Sequence, residues 1–353
     1  MHPKPADKMT LGLSAADILL QAETLLDDGY LQPALDLFHR AEALGEDPDR
    51  CAAGRWMVQM LSGDFASAWK ESDAIRRRGS PDPHRYWQGA DLAGKRVIVR
   101  CLHGLGDTVQ FIRYAPVLEH IAASVIWEVP PALTELVPCF RGVGEVRTWE
   151  LEPTDWDVQV EIMELPYIFR TEFSELPVAS NYLRLPRTIR NTLSDSGVPK
   201  IGIVWSAGDW NPSRSIPLES LLPVVSRSEC EFWNLQGGSV RSAWSALNCP
   251  GLRDSEACAN GVFSLATVIS QLDLVITVDT LAAHLAGALG VPAWVMLQFA
   301  ADWRWMSERI DSPWYPSLRL FRQQSPGDWD SVVASLNTAL DRRLTSSQTR
   351  FVA

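Results

Sequence analysis

Three groups of side chains in this sequence stand where they can do chemistry. The first is Gly104-Leu-Gly106-Asp107-Thr108, in the stretch from Cys101 that follows the apolar run Arg96–Val99. The order strand, glycine turn, helix brings one carboxylate, Asp107, to the carboxyl end of a strand, where open α/β sheets hold their ligands. A carboxylate there can take the proton of a hydroxyl while that hydroxyl attacks. Aspartate is equally a favoured helix N-cap, and spacing does not separate base from cap. Gly104 and Gly106 are expected at backbone angles that only glycine adopts cheaply.

The second group lies in Val275–Gly290, again strand, polar turn, helix. Asp279 and Thr280 fall at the strand end, and the N–H groups of the following helix suit a bound diphosphate. Asp279 would repel phosphate and is better fitted to accept hydrogen bonds from sugar hydroxyls. His284 lies one turn further on, as a ligand contact or as a buried, satisfied histidine. The third group is the turn Ser206–Pro217, where the Arg214 guanidinium can bind phosphate oxygens bidentately.

These groups need elements to hold them. Strands are expected at Arg96–Cys101, Ser124–Val129 and Asp157–Val160, with a helix from Thr108 to about Ala122. A second series of strands covers Lys200–Trp205, Glu231–Leu235, Leu274–Val278 and Ala293–Leu297. Helices are expected at Glu219–Ser226, Leu265–Gln271, Leu281–Leu289 and Trp329–Leu344. Pro186–Pro199 reads as a linker. Two α/β halves, each with polar turns at strand ends, imply a cleft between them. Before them, Leu13–Pro83 reads as helical throughout. There Gly29-Tyr30 with Ala34, Phe38 and Ala41 is echoed by Gly63-Asp64-Phe65 with Ala68, a pattern that resembles tetratricopeptide repeats. This module is a plain helical cap or a surface that docks the acceptor.

Composition narrows the class. The 353 residues allow two or three domains, and 46% hydrophobic with 21% charged residues is globular usage. A net charge of −11 argues against nucleic acid as partner. Arg76-Arg77-Arg78 closes a helix, where cations suit the macrodipole. No apolar run approaches the roughly twenty residues of a membrane span, and the N-terminus lacks a signal-peptide core. Six cysteines without a Cys-x-x-Cys pair read as reduced thiols, so a cytoplasmic location is expected. Asp155-Trp-Asp157 and Asp328-Trp-Asp330 spell Asp-x-Asp, but neither sits in the strand context of a metal site. Trp303, Trp305 and Trp314 either stack on a sugar or pin the closing helix. A dinucleotide site is disfavoured because Val109 stands where Gly-x-Gly-x-x-Gly needs its third glycine.

Gly104–Pro116, the block Arg214-Ser-Ile-Pro-Leu218 and Val275–Gly290 resemble, in this order, tetratricopeptide-repeat proteins with a domain related to ADP-heptose:lipopolysaccharide heptosyltransferases. Asp302-Trp-Arg-Trp305, Asp311–Pro316 and Pro326-Gly-Asp-Trp329 add to the resemblance, which covers roughly Trp87 to Leu340. It implies an α/β GT-B fold of two Rossmann-like domains facing a cleft, preceded by an all-α module. The corresponding boundaries are 12–84 for the helical module, 91–190 for the acceptor domain, 198–325 for the donor domain and 328–344 for a closing helix. It also implies inverting transfer from a nucleotide-diphosphate sugar, without metal or other cofactor, with Asp107 as general base. Arg214 takes the place of a phosphate-binding cation. Asp279, Thr280 and His284 match the donor motif, and Ser206 and Gln236 match donor-side turns. Gly104, Gly106 and Thr108 form the acceptor-side turn. The expected partners are the nucleotide sugar and a protein or surface-glycan acceptor docked by the helical module. Two departures stand out: Gly237 replaces a lysine found in many relatives, and the turn Asp209–Ser213 is shortened. They admit a second reading, a catalytically impaired sugar- or nucleotide-binding scaffold.

Overall fold

The computed structural model describes residues 13–79, 86–149, 155–177, 180–186, 193, 196–208, 211–247, 251–254 and 260–349. Asp209, Trp210, Cys249, Cys258 and much of the expected linker lie outside the described residues. The chain divides into two compact units, one of Met1–Gly89, Pro166–Glu175 and Ala300–Arg309, the other of Ala90–Leu165, Leu176–Phe299 and Ile310–Ala353.

The first unit is built on four helices, α1 (Ala15–Asp27), α2 (Leu31–Ala43), α3 (Pro48–Ser62) and α4 (Phe65–Arg78). Each hairpin turns on a glycine in the left-handed region, Gly29 at φ 79° and Gly63 at φ 80°. Ser14, Asp47 and Asp64 cap α1, α3 and α4. Ala34, Phe38 and Ala41 are buried with Ile18, Leu19 and Val58. Gly54 lets α3 close on α2, because an added Cβ would lie 2.3 Å from the Phe38 ring. The buried Arg55 is held bidentately by Glu71 at 2.8 Å and paired with Glu42.

Two distant segments complete this unit. The Trp69 indole N–H donates to the Thr171 carbonyl at 3.1 Å, and the Phe173 ring lies 4.2 Å from that of Phe65. The Trp303 ring packs edge-on to Trp56, and the Ser307 N–H donates to the Leu61 carbonyl. Trp303 and Trp305 are buried, Trp303 against Trp56 and Phe65.

The second unit contains two sheets. The first comprises β1 (Arg96–Arg100), β2 (Ser124–Val129), β3 (Glu145–Thr148) and β4 (Val158–Glu161), all parallel in the order β3-β2-β1-β4. The second comprises β5 (Lys200–Val204), β6 (Glu231–Asn234), β7 (Leu252–Asp254), β8 (Leu274–Val278), β9 (Ala293–Leu297), β10 (Asp311–Ser312) and β11 (Tyr315–Arg322). Its order is β10-β11-β9-β8-β5-β6-β7, parallel except for the β10–β11 pair. The eight-residue β11 is not anticipated from sequence, since Pro316 and Arg319 interrupt its apolar pattern.

The helices of this unit are α5 (Leu105–Phe111), α6 (Ala115–Ile121), the short α8 (Leu222–Val225), α9 (Val262–Ile269), α10 (Leu281–Leu289) and α11 (Trp329–Thr349), while the one-turn α7 (Leu165–Ile168) falls, but for Leu165, in the first unit. The helix expected from Thr108 begins three residues earlier and is broken by a 3-10 turn at Ile112–Tyr114. Pro116 explains the break, having no N–H to give to Ile112 and a ring that crowds that carbonyl. Val332, Leu336 and Leu340 of α11 close over Ile203, Phe232 and Ile276 in the core of the second sheet. Among the described residues no helix is long and apolar enough to cross a membrane.

Candidate functional site

The two strand-to-helix switches of the second unit meet. Gly106, second residue of α5, faces the ring of His284 in α10, and an ideal Cβ on Gly106 would lie 2.7 Å from His284 Cδ2. This corrects the expectation for both glycines of the turn. Neither has a positive φ, and Gly104 is extended at φ −66°, ψ 157°. Gly106 is required by close approach, not by backbone conformation. Gly104 is the N-cap of α5, and Asp107 is the third helical residue. Its carboxylate Oδ2 accepts the Gly104 N–H at 2.9 Å, the side-chain half of a capping box. The half-buried Asp107 thus has its carboxyl held at the helix entrance, while Thr108 is buried beneath it.

His284 is buried, and its Nδ1 lies 2.9 Å from the Tyr315 hydroxyl. Tyr315 belongs to a cluster around Arg113, a guanidinium with no exposed surface. Arg113 donates to the carbonyls of Gln110 at 2.7 Å and Trp314 at 2.8 Å, and to the Tyr182 hydroxyl at 3.1 Å. Its charge faces the rings of Tyr182, Trp314 and Tyr315 at 5.0, 5.5 and 4.8 Å. Burial works against the cation, but the surrounding tyrosines more than offset this and leave Arg113 above its ordinary range. Trp314, with Phe111 edge-on to it, is a wall of this cluster.

The other residues expected on the donor side gather at the ends of β5, β6 and β8. Arg214 donates to the Asp279 carbonyl at 3.1 Å and stands 3.6 Å from its carboxylate. The guanidinium therefore lies at the start of α10, whose N-cap is Thr280. The Thr280 hydroxyl is 3.0 Å from that of Thr277. Gln236 acts on the backbone: its Oε1 accepts the N–H groups of Trp205 and Ser206 at 3.1 and 2.9 Å, and its Nε2 donates to the Ser206 carbonyl. Ser215 secures the same turn by accepting the Ala207 N–H at 3.0 Å. Gly237 is exposed, with open space where a side chain would project. Nearby, Arg241 donates to the Gln236 carbonyl at 2.9 Å and pairs with Asp254.

Arg113, Tyr182 and Tyr315 are missed by sequence reasoning, since a lone arginine and two tyrosines carry no pattern. A second missed group lies on the first sheet. Register puts Arg100 opposite Glu128, and Glu128 opposite Arg147, a row of paired charges on one face. Arg96 and Arg100, four residues apart and so on one face of β1, are the signal that finds it. Glu161 ends the row, with His103 Nε2 3.8 Å from its carboxylate, and burial pushes its carboxyl up. One aspartate of each Asp-x-Asp pair holds a backbone N–H. Asp157 accepts the Arg96 N–H at 2.8 Å, and Asp328 accepts the Ser331 N–H at 3.1 Å at the start of α11. Among the described residues no group of three or more His, Cys, Asp or Glu side chains is placed to hold a metal.

This mixed α/β unit with largely parallel sheets is similar in fold to solved glycosyltransferases. A glycosyl transferase family 9 protein from Veillonella parvula superposes with a TM-score of 0.50 at 13% identity, over 74% of this chain and 100% of that one. TibC of enterotoxigenic E. coli, an iron-containing dodecameric heptosyltransferase solved in complex with ADP-D-β-D-heptose, gives a TM-score of 0.50 at 10% identity, over 73% of this chain and 78% of TibC. In sequence, Protein FlbA of Caulobacter vibrioides is 25% identical over 365 residues. That alignment takes in 89% of this chain but only 59% of FlbA, so the chain spans little over half the length of this curated relative. No family model matches the sequence.

Proposed function

We propose that this chain is an inverting glycosyltransferase that moves a sugar from a nucleotide-diphosphate donor to a hydroxyl of a protein or glycan. One observation carries the reading: the carboxylate at the start of α5 and the donor-side turn of α10 are brought together by the Gly106–His284 contact. In this mechanism Asp107 takes the acceptor proton as the new bond to the anomeric carbon forms. The bond from that carbon to the diphosphate oxygen breaks on the opposite face. The diphosphate leaves with the charge, met by Arg214 and by the N–H groups at the start of α10. His284 contacts the departing group, and Gln236 and Ser206 shape the turn beside it.

The reading places the two sheets as facing donor and acceptor halves of a GT-B arrangement, with α1–α4 as a tetratricopeptide-like surface for a protein acceptor in the cytoplasm. It uses no metal, the diphosphate charge being met instead by Arg214 and the start of α10. Gly237 supports the alternative reading, a sugar- or nucleotide-binding scaffold with little turnover, because no side chain there supplies the cation of many relatives. Incubating the protein with a panel of nucleotide sugars and measuring nucleotide release separates the two. Release that depends on one donor and on an acceptor is the expected result. Tight nucleotide binding with no release from any donor supports the scaffold.

A further inference from the structure

We infer that Arg113, acting through Tyr315, locks His284 into the neutral tautomer that carries its proton on Nε2. The imidazole then presents a fixed N–H donor at the entrance of α5. Only the purpose of that donor, a contact to the leaving diphosphate, rests on the function proposed above.

The Tyr315 hydroxyl and His284 Nδ1 are 2.9 Å apart, so one of them donates. The direction is set by the cation behind the tyrosine. Arg113 lies 4.8 Å from the centroid of the Tyr315 ring, donates to Gln110, Trp314 and Tyr182, and interacts with the Tyr315 side chain as a donor that lowers its pKa. The single Tyr182 hydroxyl proton goes to the Val109 carbonyl at 3.0 Å, so Tyr182 does not donate to Tyr315. A buried charge orients nearby hydroxyl dipoles with oxygen toward it and hydrogen away. Turned away from Arg113, the Tyr315 proton points at Nδ1, which therefore accepts. A neutral imidazole accepting at Nδ1 carries its proton on Nε2. Burial also pushes the Tyr315 phenol far above its usual range, so it keeps the proton it donates.

The packing is built for this contact. Gly287 lies beneath the Tyr315 ring, where a Cβ would come within 2.2 Å of it, so α10 can approach closely enough for the hydroxyl to reach Nδ1. The Nε2 edge of the ring lies over Gly106, 3.2 Å from the position of an ideal Cβ. Arg113 and Tyr315 are thus positioning residues for His284, and neither needs to touch a substrate.

The test is the tautomer itself, read by two-bond nitrogen–proton correlation on the full, ligand-free chain labelled with ¹⁵N-histidine. His284 is identified by Overhauser contacts to the Gly106 α-protons and the Tyr315 ring, and by loss of its signals in His284→Gln. The expected pattern is a protonated Nε2 and a bare Nδ1. In Tyr315→Phe, which keeps the ring, the tautomer ratio should move by about tenfold toward Nδ1–H, the effect of one lost hydrogen bond. A wild-type His284 protonated on Nδ1 overturns the inference, as does a tautomer unchanged in Tyr315→Phe. The wild-type spectrum decides alone if that variant does not fold. Titrating UDP and ADP into the labelled protein tests the functional reading separately: an Nε2–H signal that responds to neither removes His284 from the donor site and leaves the lock standing.

Discussion

Gly106 and His284 compete for one volume. The imidazole occupies the space that any side chain at position 106 would fill, with His284 Cδ2 2.7 Å from where the first added carbon would stand. The glycine is in the first turn of α5 and the histidine in α10, so this contact ties the β1–α5 switch to the β8–α10 switch.

Gly106→Ala should therefore destabilise the protein although alanine is the better helix former. Propensity favours the change by about 1 kcal/mol, whereas forcing an atom into a packed contact costs about 1–3 kcal/mol. Denaturant unfolding should show a net loss that is largely recovered in the double variant Gly106→Ala/His284→Ala. A strictly additive double variant would mean that the clash is relieved elsewhere.

Asp107→Asn should keep the fold, because the asparagine carbonyl can still accept the Gly104 N–H that Asp107 holds at 2.9 Å. Turnover should fall about 10²–10⁴-fold with donor binding intact, the usual contribution of a general base. Near-normal turnover would leave Asp107 as a helix cap alone.

Arg214→Ala should weaken binding of a nucleoside diphosphate by about 1.5–3 kcal/mol, the range for a hydrogen bond to a charged group. A nucleoside monophosphate should lose less, having no distal phosphate. The guanidinium also sits 3.6 Å from the Asp279 carboxylate, so Asp279→Asn should partly restore binding in the double variant. Equal losses for both nucleotides in calorimetry would contradict this role.

Chelation separates the proposed mechanism from a metal-assisted one. Arg214 and the backbone N–H groups at the start of α10 are fixed parts of the fold, so turnover should persist in excess EDTA. Asp155→Ala, at a side chain 92% exposed, should match wild type. Asp328→Ala should lose about 1 kcal/mol of stability with its cap, but no turnover. Activity abolished by EDTA and restored by magnesium or manganese would reject the metal-free step.

The elements that carry the site were legible from local pattern, and the contacts that tune it were not. Leu274–Val278, Leu281–Leu289 and Ala293–Leu297 appear in the structure with the bounds their apolar runs and flanking turns predict. Those features act within one turn or one strand, so a single stretch of sequence contains them. The same holds for Gly29 and Gly63, whose positive φ angles end their helices. Tertiary packing decided the rest. Arg113 is a surface-type residue by sequence, yet it is fully buried because Trp314, 201 positions away, and Tyr182 supply its acceptors. The roles of Gly106 and Gly287 depend on which rings lie opposite, which no local pattern records. Likewise Pro166–Glu175 and Ala300–Arg309 join the helices of the first unit through aromatic packing and hydrogen bonds to residues a hundred or more positions distant. Local propensity selects the elements, whereas the burial that fixes a charge, a tautomer or a glycine exists only after distant segments close on one another.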